Sequence, residues 1–329
     1  MSDVEVLKPL KTWSHLAARR RKPSEYEIVS VNLQYNDRPG SAAPYELDPN
    51  VFMNRWYVQH RNGSPLKHKD WNSFRDPDEL IYRTYCLMQD GQETYVYSLF
   101  DQFNAREHDQ ALTPQWAGTL ARLYTPGRYL LHTVQMASAY LAQMAPASTI
   151  ENCASFQAMD SFRWLSHIAY RTKELEGTFA DKGFGKDERQ YWEQDPAWQG
   201  FRELMEKTLV AYDWAECFVA LNLVAKPAIE EGMLRLLGNI GRRNGDLVMS
   251  LLADAELIDA TRHRRWAASL VKLAMETEGN ADVIRGWIAK WTPLADAAID
   301  AYTSALAESP AAAETAKQAT ATFRASLGL

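Results

Sequence analysis

Asp160-Ser161-Phe162-Arg163-Trp164 and Asp259-Ala260-Thr261-Arg262-His263 carry the same Asp-x-x-Arg frame. Each frame lies inside a long stretch whose apolar residues recur at helical spacing. Asp160 with Arg163, and Asp259 with Arg262, are therefore three residues apart on one helix face, where opposite charges can pair. A frame repeated on two long helical stretches suggests two related helices of one bundle.

Working outward from the frames, helical periodicity predicts helices over 78–90, 92–107, 114–144, 149–175, 198–225, 246–277 and 282–291. Breaks are expected at Gly91, Pro146, Gly183 with Gly185, Pro196, Pro227 and Gly279. Phe201, Leu204, Met205, Thr208 and Tyr212 trace one such stripe. Asp76-Pro77-Asp78-Glu79 reads as a helix start, with an acceptor, a first-turn proline and carboxylates at the positive end. No alternating run is long enough for a sheet, so the fold class is all-α.

Before Asp78 the chain changes character. Pro9, Pro23, Pro39, Pro44, Pro49, Pro65 and Pro77 remove backbone donors and push their predecessors toward extended geometry. Trp13, Tyr26, Phe52, Trp56 and Trp71 carry too much apolar surface to remain in water. Residues 1–77 are accordingly an extended arm lying on its own bundle or on a partner, 78–308 a helical domain, and 309–329 an alanine-rich helical tail. Trp13, Arg20, Tyr26, Phe52, Trp56 and Trp71 are the interface candidates, Arg20 standing for the basic Arg19–Lys22 patch.

Composition narrows the function. A net charge of −6 over 329 residues gives no general reason to expect nucleic acid or an anionic membrane as partner. The first residues lack the apolar run of a signal peptide, and no stretch reaches the roughly 20 apolar residues of a membrane span. Cys86, Cys153 and Cys217 are isolated from one another, which argues against zinc and a disulfide framework and fits a cytoplasmic protein. The tryptophans, 11 of them, suit either wedges between helices in a large core or a permanent interface.

A carboxylate-bridged metal bundle requires a Glu-x-x-His pair from each of two helices and a carboxylate from each of two others. In the two frames those slots hold Ser161 with Trp164 and Ala260 with His263, so His263 alone is of ligand type. From Gln110 to Ile150 there is no Asp or Glu, and no histidine has an acid three residues before it. Structural pairing is the plainer role of the frames, with His263 packed or hydrogen-bonded. Asp213 and Glu216 are the remaining candidates for buried acids, with ion-paired structural residues as their plainer role. Gly183-Phe184-Gly185-Lys186 departs from a phosphate loop, since Ala180 and Asp187 replace required residues. There is no Gly-x-Ser-x-Gly elbow. The Arg262–Arg265 cluster reads as a solvated or partner-facing patch.

Several blocks resemble the hydroxylase β subunits of bacterial multicomponent monooxygenases of the toluene and o-xylene type. They include Lys11-Thr-Trp-Ser-His-Leu-Ala17, Ser64-Pro-Leu-Lys-His68, Phe74 through Glu93, Ala145-Pro-Ala-Ser-Thr-Ile150, Asp195-Pro-Ala-Trp-Gln-Gly200, Arg262-His-Arg-Arg-Trp266 and Trp291-Thr-Pro-Leu-Ala-Asp296. The resemblance implies a ferritin-like bundle that is a non-metal-binding paralogue of a catalytic α subunit, within an (αβγ)2 hydroxylase that hydroxylates aromatic rings. It implies no cofactor in this chain and a di-iron centre in the α subunit. The implied partners are the α subunit, a small γ subunit, a Rieske ferredoxin, an NADH reductase and an effector protein. Two other readings stay open: a metalloenzyme with ligands drawn from Asp160, Asp213, Glu216, Asp259 and His263, or a free-standing helical adaptor.

Overall fold

The computed structural model describes residues 22–33, 50–307 and 309–329, all-α and without a strand among them. Three short helices and a single long one come first: α1 (Glu25–Ser30), α2 (Phe52–Tyr57), which runs into a π-helical turn at Val58–Asn62, a 3-10 turn at Trp71–Ser73, and α3 (Tyr82–Asn104). Then follow α4 (Pro114–Leu123), α5 (Gly127–Met144), α6 (Ser148–Thr178), α7 (Glu188–Gln194) and α8 (Pro196–Leu209). Residues 214–243 form one continuous helix in which α9 (Trp214–Phe218), α10 (Lys226–Ile229) and α11 (Leu236–Arg243) are joined by π-helical segments Val219–Ala225 and Glu230–Arg235. The chain ends with α12 (Leu247–Ala274), α13 (Asn280–Thr303) and α14 (Ser309–Ser326).

Two helical hairpins make the core. The short link 145–147 folds α6 back along α5, and 244–246 folds α12 back along the 214–243 helix. Asp246 caps α12 by accepting from the Met249 amide at 2.9 Å and also accepts from Trp116 Nε1 at 2.9 Å, tying the second turn to α4. Trp164, Trp198, Trp214 and Trp266 are fully buried between helices, so these tryptophans serve the core. At the α8–α13 crossing, a Cβ on Gly200 would lie 2.5 Å from Ala298 Cα, so glycine sets how closely those helices approach.

Several expected boundaries move. α3 runs straight through Gly91, where a Cβ would meet nothing. The roughly 1 kcal/mol propensity cost of an exposed glycine is overridden by Gln89, Val96 and Phe100 anchoring that helix inside. Asp76 starts a turn instead of a helix, accepting from the amides of Asp78 at 3.0 Å and Leu80 at 3.1 Å. The expected 114–144 helix is cut by Pro126, and the expected 198–225 helix by 210–213, where Asp213 caps a new helix through the Ala215 amide at 2.9 Å. Pro227 does not end its helix, because the π-helical segments around it widen the ladder that its missing N–H interrupts. Pro293 likewise lies within α13, opposite the exposed Ala289.

The described part of the arm lies on its own bundle. Ser148 Oγ donates to Ser30 O at 2.7 Å and accepts from the Leu33 amide at 3.1 Å. Tyr26 needs correction as an interface candidate: it is 4% exposed, and its hydroxyl accepts from the Asp76 amide at 3.0 Å. Trp71 is turned inward too, edge-on to Trp214 at 5.1 Å. Trp56 is half-buried, donating from Nε1 to Tyr140 at 2.9 Å. Only Phe52 among the described candidates stands out, 62% exposed beside Trp56. Trp13 and Arg20 lie outside the described residues.

Candidate functional site

The two Asp-x-x-Arg frames meet at the centre of the bundle, where α3, α6, α12 and the 214–243 helix converge. Each arginine makes the expected pair along its own helix, Arg163 to Asp160 at 3.3 Å and Arg262 to Asp259 at 3.0 Å. Each also crosses over: Arg163 Nη1 donates to Asp259 at 3.0 Å and Arg262 Nη2 to Asp160 at 2.5 Å. The result is a buried square of two carboxylates and two guanidiniums. Gln89 of α3 donates to both aspartates, at 2.7 and 2.9 Å, and Tyr85 donates to Asp160 at 2.8 Å. The Tyr85 phenol is pushed far above its ordinary range, first by burial and then by Asp160.

A second layer extends the square. Glu93 accepts from Arg163 at 2.6 Å and faces His167 Nε2 at 3.0 Å, while Nδ1 of His167 faces Glu256 at 3.4 Å. Burial opposes a charge on His167, but hydrogen bonds and attraction from Glu256 and Glu93 prevail and raise it to about 9. Burial raises Glu256, with His167 pulling the other way; Glu93 is lowered, since His167 and Arg163 outweigh its burial.

The four slots of the metal frame are placed as follows. Ser161 is buried and donates back to Gln157 O at 2.9 Å. Trp164 donates from Nε1 to Asp259 at 3.3 Å, and Ala260 is buried without a polar group. His263 gives its Nε2 to Asp160 at 2.8 Å. Burial, then the charges of Lys226 and Arg262, holds its ring neutral, far below the ordinary histidine range. A proton on Nε2 suits the carboxylate acceptor, leaving Nδ1 without a partner among the described residues. Asp160, Asp259 and His263 do come together, as the metalloenzyme reading needs. Their oxygens, however, are taken up by guanidinium, amide, phenol and indole donors, and each guanidinium lies against both carboxylates. This donor set does not fit a di-iron centre. Among the described residues no group of three or more histidines, cysteines, aspartates and glutamates is arranged to hold a metal ion.

Asp213 and Glu216 lie elsewhere. Asp213 caps α9 and accepts from Ser64 at 2.8 Å, and Glu216 accepts from Lys290 at 2.5 Å and from Trp291 at 3.0 Å. Deeply buried acids lie elsewhere, among them Asp160, Glu230 and Glu256 at the bundle centre. The Arg262–Arg265 cluster is not a surface patch either. Arg262 joins the square, Arg264 pairs with Glu230 at 2.7 Å and Glu231 at 2.9 Å, and Arg265 reaches Asp78 at 3.0 Å. Reasoning from the sequence missed Lys226 and Glu230, an ion pair at 3.1 Å within the core. Lys226 offered one signal, a lone charge in the run 219–229 whose only other polar side chain is Asn222.

The fold and its centre define an all-α bundle in which twin Asp-x-x-Arg frames on two long helices are joined by crossed ion pairs. The sequence profile of the methane/phenol/alkene hydroxylase family matches residues 56–278, and the chain belongs to that family. It is 58% identical over 303 residues to the toluene-4-monooxygenase system hydroxylase component subunit beta of Ectopseudomonas mendocina, covering 92% of each chain. It is 25% identical over 290 residues to the phenol 2-monooxygenase oxygenase component DmpL of Pseudomonas sp. strain CF600, covering 83% of this chain and 85% of that one. A solved structure of toluene 4-monooxygenase (T4moH) with toluene in its resting active site superimposes at a TM-score of 0.86 and 57% identity, covering 91% of this chain and 98% of that chain. The resemblance to hydroxylase β subunits and the ferritin-like fold it implied thus hold.

Proposed function

We propose that this chain is the non-catalytic β subunit of a toluene-type monooxygenase hydroxylase, pairing with a di-iron α subunit that carries the chemistry. One observation carries this reading: the centre of the bundle is closed by the crossed Arg163–Asp259 and Arg262–Asp160 pairs, leaving no oxygen of Asp160 or Asp259 free for iron. The likeness to a hydroxylase β subunit over almost the whole chain supports the assembly. The complete system in this reading is an (αβγ)2 hydroxylase supplied with NADH-derived electrons by a reductase and a Rieske ferredoxin and tuned by an effector protein. No helix among the described residues is long and apolar enough to cross a membrane.

The outer face of α5 and α6 supports pairing with another chain. The 18 residues of α5 include no carboxylate and Arg128 as the only lysine or arginine. Met136 of α5 and Phe162 and Tyr170 of α6 are all exposed large apolar groups. Depletion of charge with enrichment in aromatics and methionine is the composition of an interface core. The test is to purify the co-expressed hydroxylase, separate its chains and quantify iron in each. We expect iron to follow the α subunit and turnover to require it; about two irons retained per β chain would overturn the proposal.

A further inference from the structure

Lys226 is 3% exposed, an extreme position for an ammonium group. Its Nζ stands 3.1 Å from Glu230 Oε1 and 5.0 Å from the centre of the Trp164 ring. Trp164 and His263, whose ring centres are 5.8 Å apart, are two of the four ligand slots. The one lysine of the run 219–229 is therefore delivered to the part of the bundle where the twin frames would otherwise hold a metal. Neighbouring groups suit an ammonium and not a metal. Trp164 offers a ring face without a lone pair, which attracts a cation but cannot ligate one. Ala260 offers nothing. Glu230 lies one turn beyond Lys226, and Asn222 one turn before it, on the same stripe of the helix. The π-helical segments flank Lys226 on both sides and set the phase of that stripe.

We propose that Lys226 is a further resident cation of the bundle centre beside Arg163 and Arg262, its ammonium balancing buried carboxylate charge of the kind a metal ion balances in a carboxylate bundle. This rests on the non-ligating reading given above and adds to it the group that made the loss of metal tolerable. Glu230 is also met by Arg264 at 2.7 Å, so two cations share its charge.

The test uses the full chain as wild type, Lys226→Met, Glu230→Gln and the double variant, with thermal unfolding and Mn2+ uptake measured by elemental analysis. Removing one partner of a buried ion pair leaves the other unpaired, and Lys226→Met should lower the melting temperature by about 5 °C or more. Adding Glu230→Gln should restore at least half of that loss, because no unpaired charge remains. Wild type should take up no stoichiometric Mn2+. If wild type binds Mn2+ stoichiometrically, the non-ligating reading and this inference both fail. If it does not, and Lys226→Met melts with wild type or the two losses merely add, the role of Lys226 alone is overturned. Should Lys226→Met prove insoluble, recovery of soluble chain in the double variant supports the inference, and failure to recover it refutes it.

Discussion

Raising the pH from 6.5 to 10 should remove a defined part of this chain's stability through His167. The imidazole lies between Glu93 of α3 and Glu256 of α12, with Arg163 on its own helix beside Glu93. Its folded pKa is raised from 6.5 to about 9. A histidine that binds its proton more tightly when folded contributes stability fully present below about 6.5 and lost as pH rises through about 9. At 1.36 kcal/mol per unit, the difference is about 3 kcal/mol. Cys153 and Cys217 also favour the unfolded chain at alkaline pH, since burial raises both thiols and they ionise readily only on unfolding. The His167 share is therefore isolated as the difference between wild type and His167→Gln in urea unfolding at pH 6.5, 7.5, 8.5 and 9.5. That difference should be about 3 kcal/mol at pH 6.5 and shrink toward zero above pH 9.5. A difference that stays constant across the series would mean that His167 is neutral in the fold and acts by packing alone, and the charge reasoning would fail.

Two further outcomes follow from packing. Gly200→Ala would place a methyl 2.5 Å from Ala298 Cα, so α8 and α13 must part, and a loss of about 1 to 3 kcal/mol is expected in denaturant unfolding. Gly91→Ala, where a Cβ meets nothing, should instead be neutral or slightly stabilising. Met136→Glu combined with Phe162→Glu puts charge into the exposed stripe of α5 and α6, and should weaken co-purification with the α subunit while circular dichroism of the isolated chain stays unchanged. Full retention of the partner would place the interface on another face.

The sequence made the frames legible because a three-residue spacing along a helix is a local property. Asp160–Arg163 and Asp259–Arg262 could be read directly, and both pairs form. The crossed pairs could not, since they depend on how α6 and α12 are set against each other. The same limit explains Asp213 and Glu216. Acids embedded in an aromatic segment look buried, yet the nearby helix start turns Asp213 into a cap and leaves Glu216 to reach α13. Proline and glycine misled for a related reason. Pro126 broke a helix as its chemistry requires, whereas Pro227 and Gly91 did not, because tertiary packing outweighed about 1 to 3 kcal/mol of local preference. The arm was expected to be extended, yet its described residues form short helices at Glu25–Ser30 and Phe52–Tyr57, and whether Tyr26 met a partner or its own bundle turned on Asp76, fifty residues on in the chain.

In the non-ligating reading proposed above, the charge pattern also explains why the frame persists. A bundle that loses ligands but keeps the surrounding acids would bury uncompensated carboxylates, at several kcal/mol each. Here every buried acid of the centre has a cation within reach: Asp160 and Asp259 share Arg163 and Arg262, Glu93 and Glu256 share His167, and Glu230 has Lys226 and Arg264. Arginine suits the paired aspartates because its planar fork can donate to two carboxylates at once, as Arg163 and Arg262 both do. Lysine suits the position between Glu230 and Trp164, where a compact charge has to face an aromatic ring and one carboxylate. Once those cations are in place, restoring a single ligand, such as Ala260→Glu, cannot recreate a metal site. The new acid would add a negative charge to a set that is already balanced, while both guanidiniums and the ammonium remained in the space a metal needs.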